Sequence, residues 1–382
     1  MKIEEIKIKN YKVFRDVEVK ELSNLAIFVG KNGSGKTTFF DVFSFLHDCL
    51  NDNVKSALAK RGGYQEVVSR DCLGSDIEFS LKLRPSDQEP LVTYELSIGL
   101  VAKAPIVKSE VVRVELGGQD VTVLQFACGS GRASSGKFGG LKDACDQKEQ
   151  KLAKQNILAI KALGQFKEFA AYTVLSKLLE DCFVPDFKLD LAQGWQRSFN
   201  RQLTRTGDNL AVVTKFIKDK HPDCFINLMY MLQLIHPGFE QILVQTRPDG
   251  YISLAFKDRN FQDPFHSMSD GLVNFFLHQV LLHEPKRHAL LCVAEPENHC
   301  YLEFFRDLAV SFRKYASTSQ VFVSTHSPEF LNGFVLDQIY CLLKKDGYTV
   351  IKRAIDDEDV RSRAKDDFLS EIWSWGYLLP RI

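Results

Sequence analysis

The stretch that decides the fold is G-K-N-G-S-G-K-T, which occupies residues 30–37. It matches the phosphate-binding pattern G-x-x-x-x-G-K-[S/T] without interruption. An apolar run, residues 25–29, precedes it, and residues 38–46 follow it without glycine or proline. Since a short apolar run is typical of a buried parallel strand, the sequence predicts strand, glycine-rich loop and helix in succession. This is the setting that the pattern requires.

The residue types in this loop suit a nucleoside triphosphate. Glycines let successive backbone N–H groups surround an anion, and the next helix directs its positive end to the same point. Lys36 can reach the β- and γ-phosphates, and the Thr37 hydroxyl is placed to bind Mg²⁺. A chance glycine-rich turn is the weaker interpretation. The residues assigned to the nucleotide are Gly30, Lys31, Asn32, Gly33, Ser34, Gly35, Lys36, Thr37 and Thr38.

Composition narrows the class of protein. The chain has 382 residues, no net charge and a pI of about 7.1, so nothing global indicates nucleic acid, although a local basic patch is compatible with these values. No apolar run is long enough to span a membrane, and the first residues lack a secretion signal. The nine cysteines are scattered without a C-x-x-C pair. We therefore expect a reduced, cytoplasmic protein with no membrane partner.

Alternating patterns predict an α/β fold with three parts. Apolar residues alternate with polar ones in residues 3–20, which predicts two antiparallel strands, and again between residues 77 and 114, which predicts an antiparallel meander. Residues 129–140 are rich in glycine and serine, and we expect a flexible surface loop there. Later strands are predicted near 242–244, 252–256, 337–343 and 348–353, followed by a helical tail. The predicted division is an N-terminal lobe at 1–140, a helical insertion or lid at 141–235 and a C-terminal lobe at 236–382.

Two further apolar runs end in groups that can do chemistry. Residues 289–294 lead into Glu295-Pro296-Glu297, and residues 321–325 lead into His326. A parallel strand of this kind ends beside the phosphate loop, where it can bring carboxylates to metal and water. A lone histidine is more often structural, but the T-H-S-P context after a strand favours contact with the γ-phosphate or the attacking water. S-M-S-D-G at 267–271 predicts a serine at a helix start, which can bind anions but is weak evidence alone.

The order of these motifs resembles that of a known family. Phosphate loop, S-x-S-D-G, strand with E-P-E, and strand with T-H-S-P are similar to the ABC-type ATPases of the structural-maintenance-of-chromosomes (SMC) and RecF-like group. More narrowly, the chain resembles the AAA15/AAA21 ATPases, relatives of the ATPase half of overcoming-lysogenisation-defect nucleases. I-K-I-K-N-Y-K-V-F-R-D at 6–16 and T-G-D-N-L at 206–210 extend the resemblance over most of the chain. It implies a P-loop ATPase head with a parallel core sheet, an antiparallel β meander and a helical insertion.

The resemblance also implies roles for individual residues. Glu295 would polarise the attacking water and, with Thr37, hold the metal, while His326 matches the switch histidine. Ser269, Asp270 and Gly271 would form the signature segment, which caps the γ-phosphate bound by the opposite subunit. The active unit would then be a head-to-tail dimer, or a higher oligomer, with ATP between the chains. Gln65 is a candidate for the glutamine that senses metal and water, and an ordinary loop residue is the alternative.

Three positions depart from the family pattern. Ala294 replaces the acid that normally precedes the catalytic glutamate, Asn274 replaces a basic residue, and residues 300–302 (C-Y-L) replace L-H-P. The metal would then depend on Thr37, the phosphates and either Glu295 or Glu297. We expect ATP binding with slow hydrolysis, as in a switch or a scaffold.

Three functions are compatible with the sequence. The first is a regulatory ATPase in bacterial anti-phage defence, acting on a separate effector, nuclease or toxin, because residues 327–382 are too few for a nuclease domain. The second is a RecF-like or SMC-like DNA-binding ATPase in repair. The neutral net charge of the chain argues against it, and the basic residues that could line a DNA groove could instead form a solvated helix face. The third is a nucleotide-locked scaffold without turnover. The basic residues considered for a DNA groove are Arg201, Arg205, Lys215, Lys218 and Lys220.

Overall fold

The computed structural model describes residues 2–86, 88–136, 148–236, 238–259 and 262–378. Runs of strands and runs of helices follow one another along these ranges. The strands are β1 (Lys2–Tyr11), β2 (Phe14–Val19), β3 (Leu25–Val29), β4 (Ile77–Arg84), β5 (Val92–Val101), β6 (Ala104–Leu116), β7 (Gln119–Ala127), β8 (Ser130–Ala133), β9 (Lys148–Lys151), β10 (Cys182–Phe183), β11 (Phe239–Thr246), β12 (Ile252–Asp258), β13 (Gln262–Pro264), β14 (Leu290–Ala294), β15 (Gln320–Thr325), β16 (Ile339–Lys345) and β17 (Tyr348–Arg353).

The α-helices lie mainly after the phosphate loop, in the middle of the chain and at its C-terminal end. They are α1 (Lys36–Asn51), α2 (Val54–Ala59), α3 (Tyr64–Val67), α4 (Ala159–Leu163), α5 (Ala170–Glu180), α6 (Leu189–Ala192), α7 (Leu210–Lys220), α8 (Pro222–Ile235), α9 (Asp270–Leu282), α10 (Phe305–Ala316), α11 (Pro328–Leu331), α12 (Glu358–Arg363) and α13 (Leu369–Ser374). Among the helices of the described ranges, none is long and apolar enough to cross a bilayer.

The core sheet has the strand order β10-β14-β15-β3-β16-β17. Neighbours from β10 to β16 run parallel, and only the edge strand β17 pairs antiparallel with β16. Every residue of β3 and β15 is buried, which confirms the prediction of buried parallel strands. In register, Ala294 lies opposite Ser324, and Thr325 lies opposite Val29. The three strand ends that carry the predicted chemistry therefore meet at one edge of the sheet.

The core sheet separates two hydrophobic clusters. On one face the Phe28 ring lies 4.6 Å from the Phe39 ring of α1 and 5.3 Å from the Tyr340 ring. On the other face Ile27 and Val29 belong to a cluster that includes α9 and α10. Because side chains alternate across a strand, β3 anchors both layers at once. This explains why the segment before the phosphate loop is apolar throughout.

A second, antiparallel sheet has the order β2-β1-β4-β5-β6-β7-β8-β9. Its first five strands confirm the predicted N-terminal pair and meander, with inward apolar residues alternating along β4. The prediction of a flexible loop at 129–140 is wrong for β8, since Ser130–Ala133 pairs with β7 and β9. A Cβ on Gly131 would lie 2.1 Å from the Gln125 carbonyl oxygen. Glycine there marks close strand contact, and residues 137–140 lie outside the described ranges.

The segment predicted as a helical insertion is mostly helical, from α4 to α8, but it also contains strands. β9 extends the antiparallel sheet, and β10 pairs in parallel with Leu290–Leu291 of the core sheet. Residues 141–147 lie outside the described ranges, and the division of the chain into three parts stays a prediction. The later strands β11, β12, β16 and β17 and the helical tail form near their predicted positions.

The buried guanidinium of Arg61 holds α1 in place. It binds the carboxylates of Asp41 and Asp48, at 2.8 Å each, and its side chain is only 9% exposed. It also donates to the Ala57 carbonyl oxygen at 3.0 Å. Arg61 therefore joins two turns of α1 to α2 at the rear of the phosphate-loop helix.

We expect Arg61→Ala to lower the free energy of unfolding by about 3 kcal/mol, because two carboxylates that are largely buried each lose their best-buried cationic partner. Urea denaturation measures this. Arg132→Ala is the matched control, since Arg132 forms an exposed ion pair with Glu149, and it should cost less than about 1 kcal/mol. Equal losses in the two variants would show that the Arg61 network does not stabilise the fold.

Candidate nucleotide-binding site

The phosphate loop, residues 30–37, has the backbone that anion binding requires. Gly33 and Gly35 have φ angles of 76° and 103°, a region that favours glycine. Gly35 caps α1, which begins at Lys36. The side chain Oγ of Ser34 is buried and, in the described part of the chain, has no hydrogen-bond partner. The loop thus combines a positive helix end with an unsatisfied buried hydroxyl, which fits a phosphate group.

The ammonium of Lys36 is buried at this loop. Its side chain is 5% exposed, and its Nζ donates to the Gly30 carbonyl oxygen at 2.8 Å. Burial lowers the pKa of Lys36, while the carboxylates of Glu295 and Glu297 oppose that shift. A buried cation with few anionic partners favours a negatively charged ligand. Lys36 therefore fits its predicted contact with the β- and γ-phosphates.

Glu295 brings the end of β14 to the same place. Its Oε1 lies 3.8 Å from the Lys36 Nζ and 3.3 Å from the Nδ1 of His326. Its Oε2 accepts a hydrogen bond from Asn298 at 3.0 Å. Burial by itself raises the pKa of Glu295, but the Asn298 hydrogen bond and the charges of His326 and Lys36 hold it below its ordinary value. Three residues from distant parts of the chain thus form one cluster around an ionised carboxylate.

Glu297, the second acid of E-P-E, has a different environment. It is 5% exposed, and its Oε1 accepts hydrogen bonds from the Thr325 hydroxyl and, at 3.4 Å, from the His326 backbone N–H. Burial raises its pKa, although the Thr325 hydrogen bond opposes the rise. Its carboxyl is tied to the backbone that carries His326. Glu297 therefore supports the histidine turn, and metal binding by Glu297 is the weaker of the two options left by the sequence.

A divalent cation fits the remaining donors. Thr37 is exposed in the first turn of α1, so its hydroxyl is accessible. Ala294 is also exposed, but its methyl side chain offers no oxygen ligand. Mg²⁺ would be held by Thr37, by phosphate oxygens and by Glu295, which are the oxygen ligands that Mg²⁺ prefers. The metal roles of Thr37 and Glu295 stay predictions.

The signature segment, residues 269–271, lies at the start of α9. The Ser269 hydroxyl accepts a hydrogen bond from the Leu272 N–H at 3.4 Å and caps the helix, and Ser269 and Asp270 are exposed. In the described ranges, no hydrogen bond or ion pair joins this segment to the phosphate loop of the same chain. Gln65 is likewise exposed, on α3, without a hydrogen bond to the loop. The nucleotide-sensing roles of these residues stay predictions.

Thr349 supports the loop and was missed by sequence reasoning. It is 1% exposed on β17, and its hydroxyl donates to the Ser34 carbonyl oxygen at 2.7 Å. Its N–H donates to the Val13 carbonyl oxygen at 2.9 Å. A threonine in a strand is too common to signal this role.

Three of the basic residues considered for a DNA groove make separate local contacts. Arg205 donates to the Val184 carbonyl oxygen, and Lys218 donates to that of Ile242. Lys215 forms an ion pair with Asp219 on its own helix. These contacts give no support to a continuous basic groove.

Comparison with known proteins agrees with this geometry. Residues 1–98 match the family model described as AAA ATPase domain, and residues 197–332 match that described as AAA domain, putative AbiEii toxin, Type IV TA system. The two matches contain the phosphate loop, the signature segment, Glu295 and His326. Together the two matches identify the chain as a P-loop ATPase of the AAA15/AAA21 kind. No curated protein matches the sequence of this ATPase.

Solved SMC heads share the fold of this ATPase. An SmcHead bound to the C-winged helix domain of ScpA has a TM-score of 0.58 and 14% identity, covering 92% of this chain and 97% of that one. An Smc head from Pyrococcus furiosus, with an extended coiled coil and bound to the C-terminal domain of ScpA, has a TM-score of 0.53 and 12% identity, covering 92% and 95%. These neighbours confirm the fold class predicted from the motifs.

We expect Thr349→Val to weaken ATP binding about fivefold, because the loss of one hydrogen bond of about 1 kcal/mol frees the Ser34 carbonyl and loosens the loop. Titration with a fluorescent ATP analogue measures the affinity. Thr214→Val is the matched control, since the buried Thr214 hydroxyl also donates to a backbone carbonyl, that of Leu210, on α7. A drop in affinity of the same size in both variants would contradict a specific role for Thr349.

Proposed function

We propose that this chain binds ATP with Mg²⁺ and hydrolyses it slowly at a composite site shared by two copies, as a nucleotide-controlled switch or scaffold. The observation that carries the proposal is the cluster of Lys36, Glu295 and His326 at the phosphate loop. Phosphoryl transfer to water depends mainly on positioning and on charge neutralisation. The cluster offers a cation for the phosphates, a carboxylate for the water and an imidazole within reach of both.

Each residue has a separate task in this mechanism. The loop N–H groups and Lys36 bind and orient the β- and γ-phosphates. Glu295, ionised because its pKa is lowered, accepts a hydrogen bond from the attacking water and orients it. His326 lies beside the same carboxylate and holds it toward the phosphate. Mg²⁺, when bound by Thr37, supplies further neutralisation of the phosphate charge.

Slow turnover follows from Ala294. The acid expected at this position orients the metal through water, and groups of this kind typically change metal affinity or activity by about 10- to 100-fold. Ala294 ends β14 next to Glu295 and is exposed, so it provides no such contact. ATP would then stay bound longer than it does in a rapid ATPase.

A second copy would complete the site. Ser269 and Asp270 at the start of α9 are exposed. Tyr301, whose ring would lie 3.6 Å from a Cβ on Gly271, and Leu302 after it are 60% and 67% exposed. Exposed apolar side chains near the N-terminal end of a helix suit an interface that forms over a bound nucleotide. This arrangement supports a head-to-tail dimer with ATP between the chains.

The proposed cellular task is bacterial anti-phage defence with a separate effector. The support is the resemblance to defence-associated ATPases and the matched family model, whose description names a putative toxin of a type IV toxin–antitoxin system. The neighbouring SMC heads are bound to ScpA domains, which illustrates that this fold can carry a protein partner.

We expect Glu295→Gln to abolish most turnover, by about 100-fold or more, while ATP binding is kept, because the amide cannot orient the water as the carboxylate does. ATP turnover and sizing chromatography with and without ATP measure both effects, and the variant should accumulate as an ATP-dependent dimer. Glu303→Gln, at an exposed carboxylate of the next segment, is the control. Wild-type turnover in Glu295→Gln would refute the role of Glu295, and ATP-independent oligomers without turnover in either protein would favour the scaffold alone.

We expect Ala294→Asp to raise turnover about tenfold and to lower the Mg²⁺ concentration needed for half-maximal rate, because it restores a carboxylate at the end of β14. A Mg²⁺ titration of the hydrolysis rate measures this. Ala294→Asn, which adds similar bulk without charge, is the control. If the aspartate variant matches the asparagine variant, Ala294 is not the cause of slow hydrolysis.

A further inference from the structure

The signature helix α9 packs directly onto the acidic loop, which we define as residues 295–300. A Cβ on Gly271 would lie 2.4 Å from the His299 carbonyl oxygen, so only glycine allows this approach. The Cys300 Sγ lies 3.9 Å from the Gly271 carbonyl oxygen on the same side. The segment proposed to meet the partner's nucleotide therefore touches the loop that carries the chain's own catalytic carboxylate.

Asn274 joins the two by hydrogen bonds. It is 7% exposed, one turn beyond Gly271 on α9, and its Nδ2 donates to the Pro296 carbonyl oxygen at 3.0 Å and to that of Asn298 at 2.6 Å. A side-chain amide has two N–H donors, so both are used. Because both partners are acceptors, they also fix which way the amide points. The neutral side chain thus supplies hydrogen bonds to two backbone carbonyls of the acidic loop.

Asn298 forms the hydrogen bonds that link the acidic loop to Glu295. Its Nδ2 donates to the Glu295 Oε2 at 3.0 Å, and its backbone N–H donates to the Glu295 carbonyl oxygen at 3.1 Å. Glu295 itself has a φ of 50°, an uncommon value for a residue with a side chain. Such a conformation persists only when neighbouring contacts impose it. The position of the carboxylate therefore depends on the loop that Asn274 holds.

Two departures seen in the sequence are in contact. The Asn274 Nδ2 lies 3.5 Å from the Cys300 Sγ, and that sulfur lies 3.6 Å from the Pro296 carbonyl oxygen. Asn274 replaces a basic residue and Cys300 begins C-Y-L in place of L-H-P. The structure places both substitutions at one joint between α9 and the acidic loop.

We propose that Asn274 is a positioning residue that couples the signature segment to Glu295 of the same chain, an inference that rests on the proposed composite site. Ser269 caps α9 and Asn274 lies in its second turn, so one helix carries both residues. When Ser269 contacts a phosphate bound to the partner chain, the position of α9 is fixed. Through Asn274, α9 then fixes the position of the acidic loop and of Glu295 in its own chain. Occupancy of one site in the dimer therefore sets the carboxylate at the other.

Mixed dimers of two differently tagged chains test this coupling. One chain keeps its phosphate loop, and the other carries Lys36→Ala so that it binds no ATP. The signature segment of the first chain then faces no phosphate. Turnover per intact site should fall at least about fivefold relative to the wild-type dimer, within the range typical of allosteric coupling. The coupling ratio is the turnover per intact site in the dimer with two intact phosphate loops, divided by that in the mixed dimer. When the first chain also carries Asn274→Ala, turnover is already low with two intact phosphate loops, so this ratio should approach 1.

Two further variants keep the result interpretable. Asn274→Asp keeps the shape of the side chain but presents acceptor oxygens to the two carbonyls. Asn298→Ala removes the hydrogen bond to Glu295 at an exposed side chain. Each variant should give a ratio near 1 and should bind a fluorescent ATP analogue as the wild type does. Asn227→Ala, at an exposed position of α8, should keep the fivefold ratio. A purely structural Asn274 would lower turnover without changing the ratio, because coupling would persist.

The possible failures are distinguishable. If wild-type dimers show the fivefold ratio and the Asn274 and Asn298 variants retain it, this inference is wrong while the proposed function stands. If the wild-type chain neither hydrolyses ATP nor forms an ATP-dependent dimer, the proposed function fails and the inference fails with it.

Discussion

The parallel register of β14, β15 and β3 brings three distant segments to one edge of the core sheet. Ala294 lies opposite Ser324, and Thr325 lies opposite Val29. The residue after each strand therefore enters the same space: Glu295, His326 and the phosphate loop. Since β3 and β15 are buried on both faces, a shift of one residue would move every side chain into the opposite hydrophobic layer, where the packing does not match its shape. Hydrophobic burial thus fixes the geometry of the chemistry.

Much of this arrangement can be predicted from sequence because its signals are local. A buried parallel strand is recognised by a short apolar run, and the phosphate loop by its own pattern. Strand ends in a parallel sheet meet at one edge, so the residue pattern alone predicts that Glu295 and His326 lie beside the phosphate loop. The contacts of Glu295 with Lys36 and His326 agree with that reasoning.

Other features depend on neighbours that lie far away in the chain. Glycines near residue 131 predict a loop, yet here glycine permits close strand pairing. The short β10 lacks a periodic signal, and its place in the core sheet depends on β14. Thr349 and Asn274 act by hydrogen bonding to backbone carbonyls, and residue type alone does not show which carbonyl is near. Tertiary contacts, and not local propensity, decide all of these cases.

The two glutamates of E-P-E show how the fold separates structure from chemistry. Glu295 is partly exposed, and the Asn298 hydrogen bond together with the charges of His326 and Lys36 lowers its pKa, whereas Glu297 is buried against the histidine turn, and burial raises its pKa. Two similar acids in such different environments suit the different roles proposed for them. Ala294, just before them, is exposed. An acid at this exposed position is therefore not needed for burial, and Lys36, Glu295 and His326 keep their contacts without it. In the proposed mechanism its absence affects the orientation of the metal, which would slow hydrolysis and favour a nucleotide-held switch.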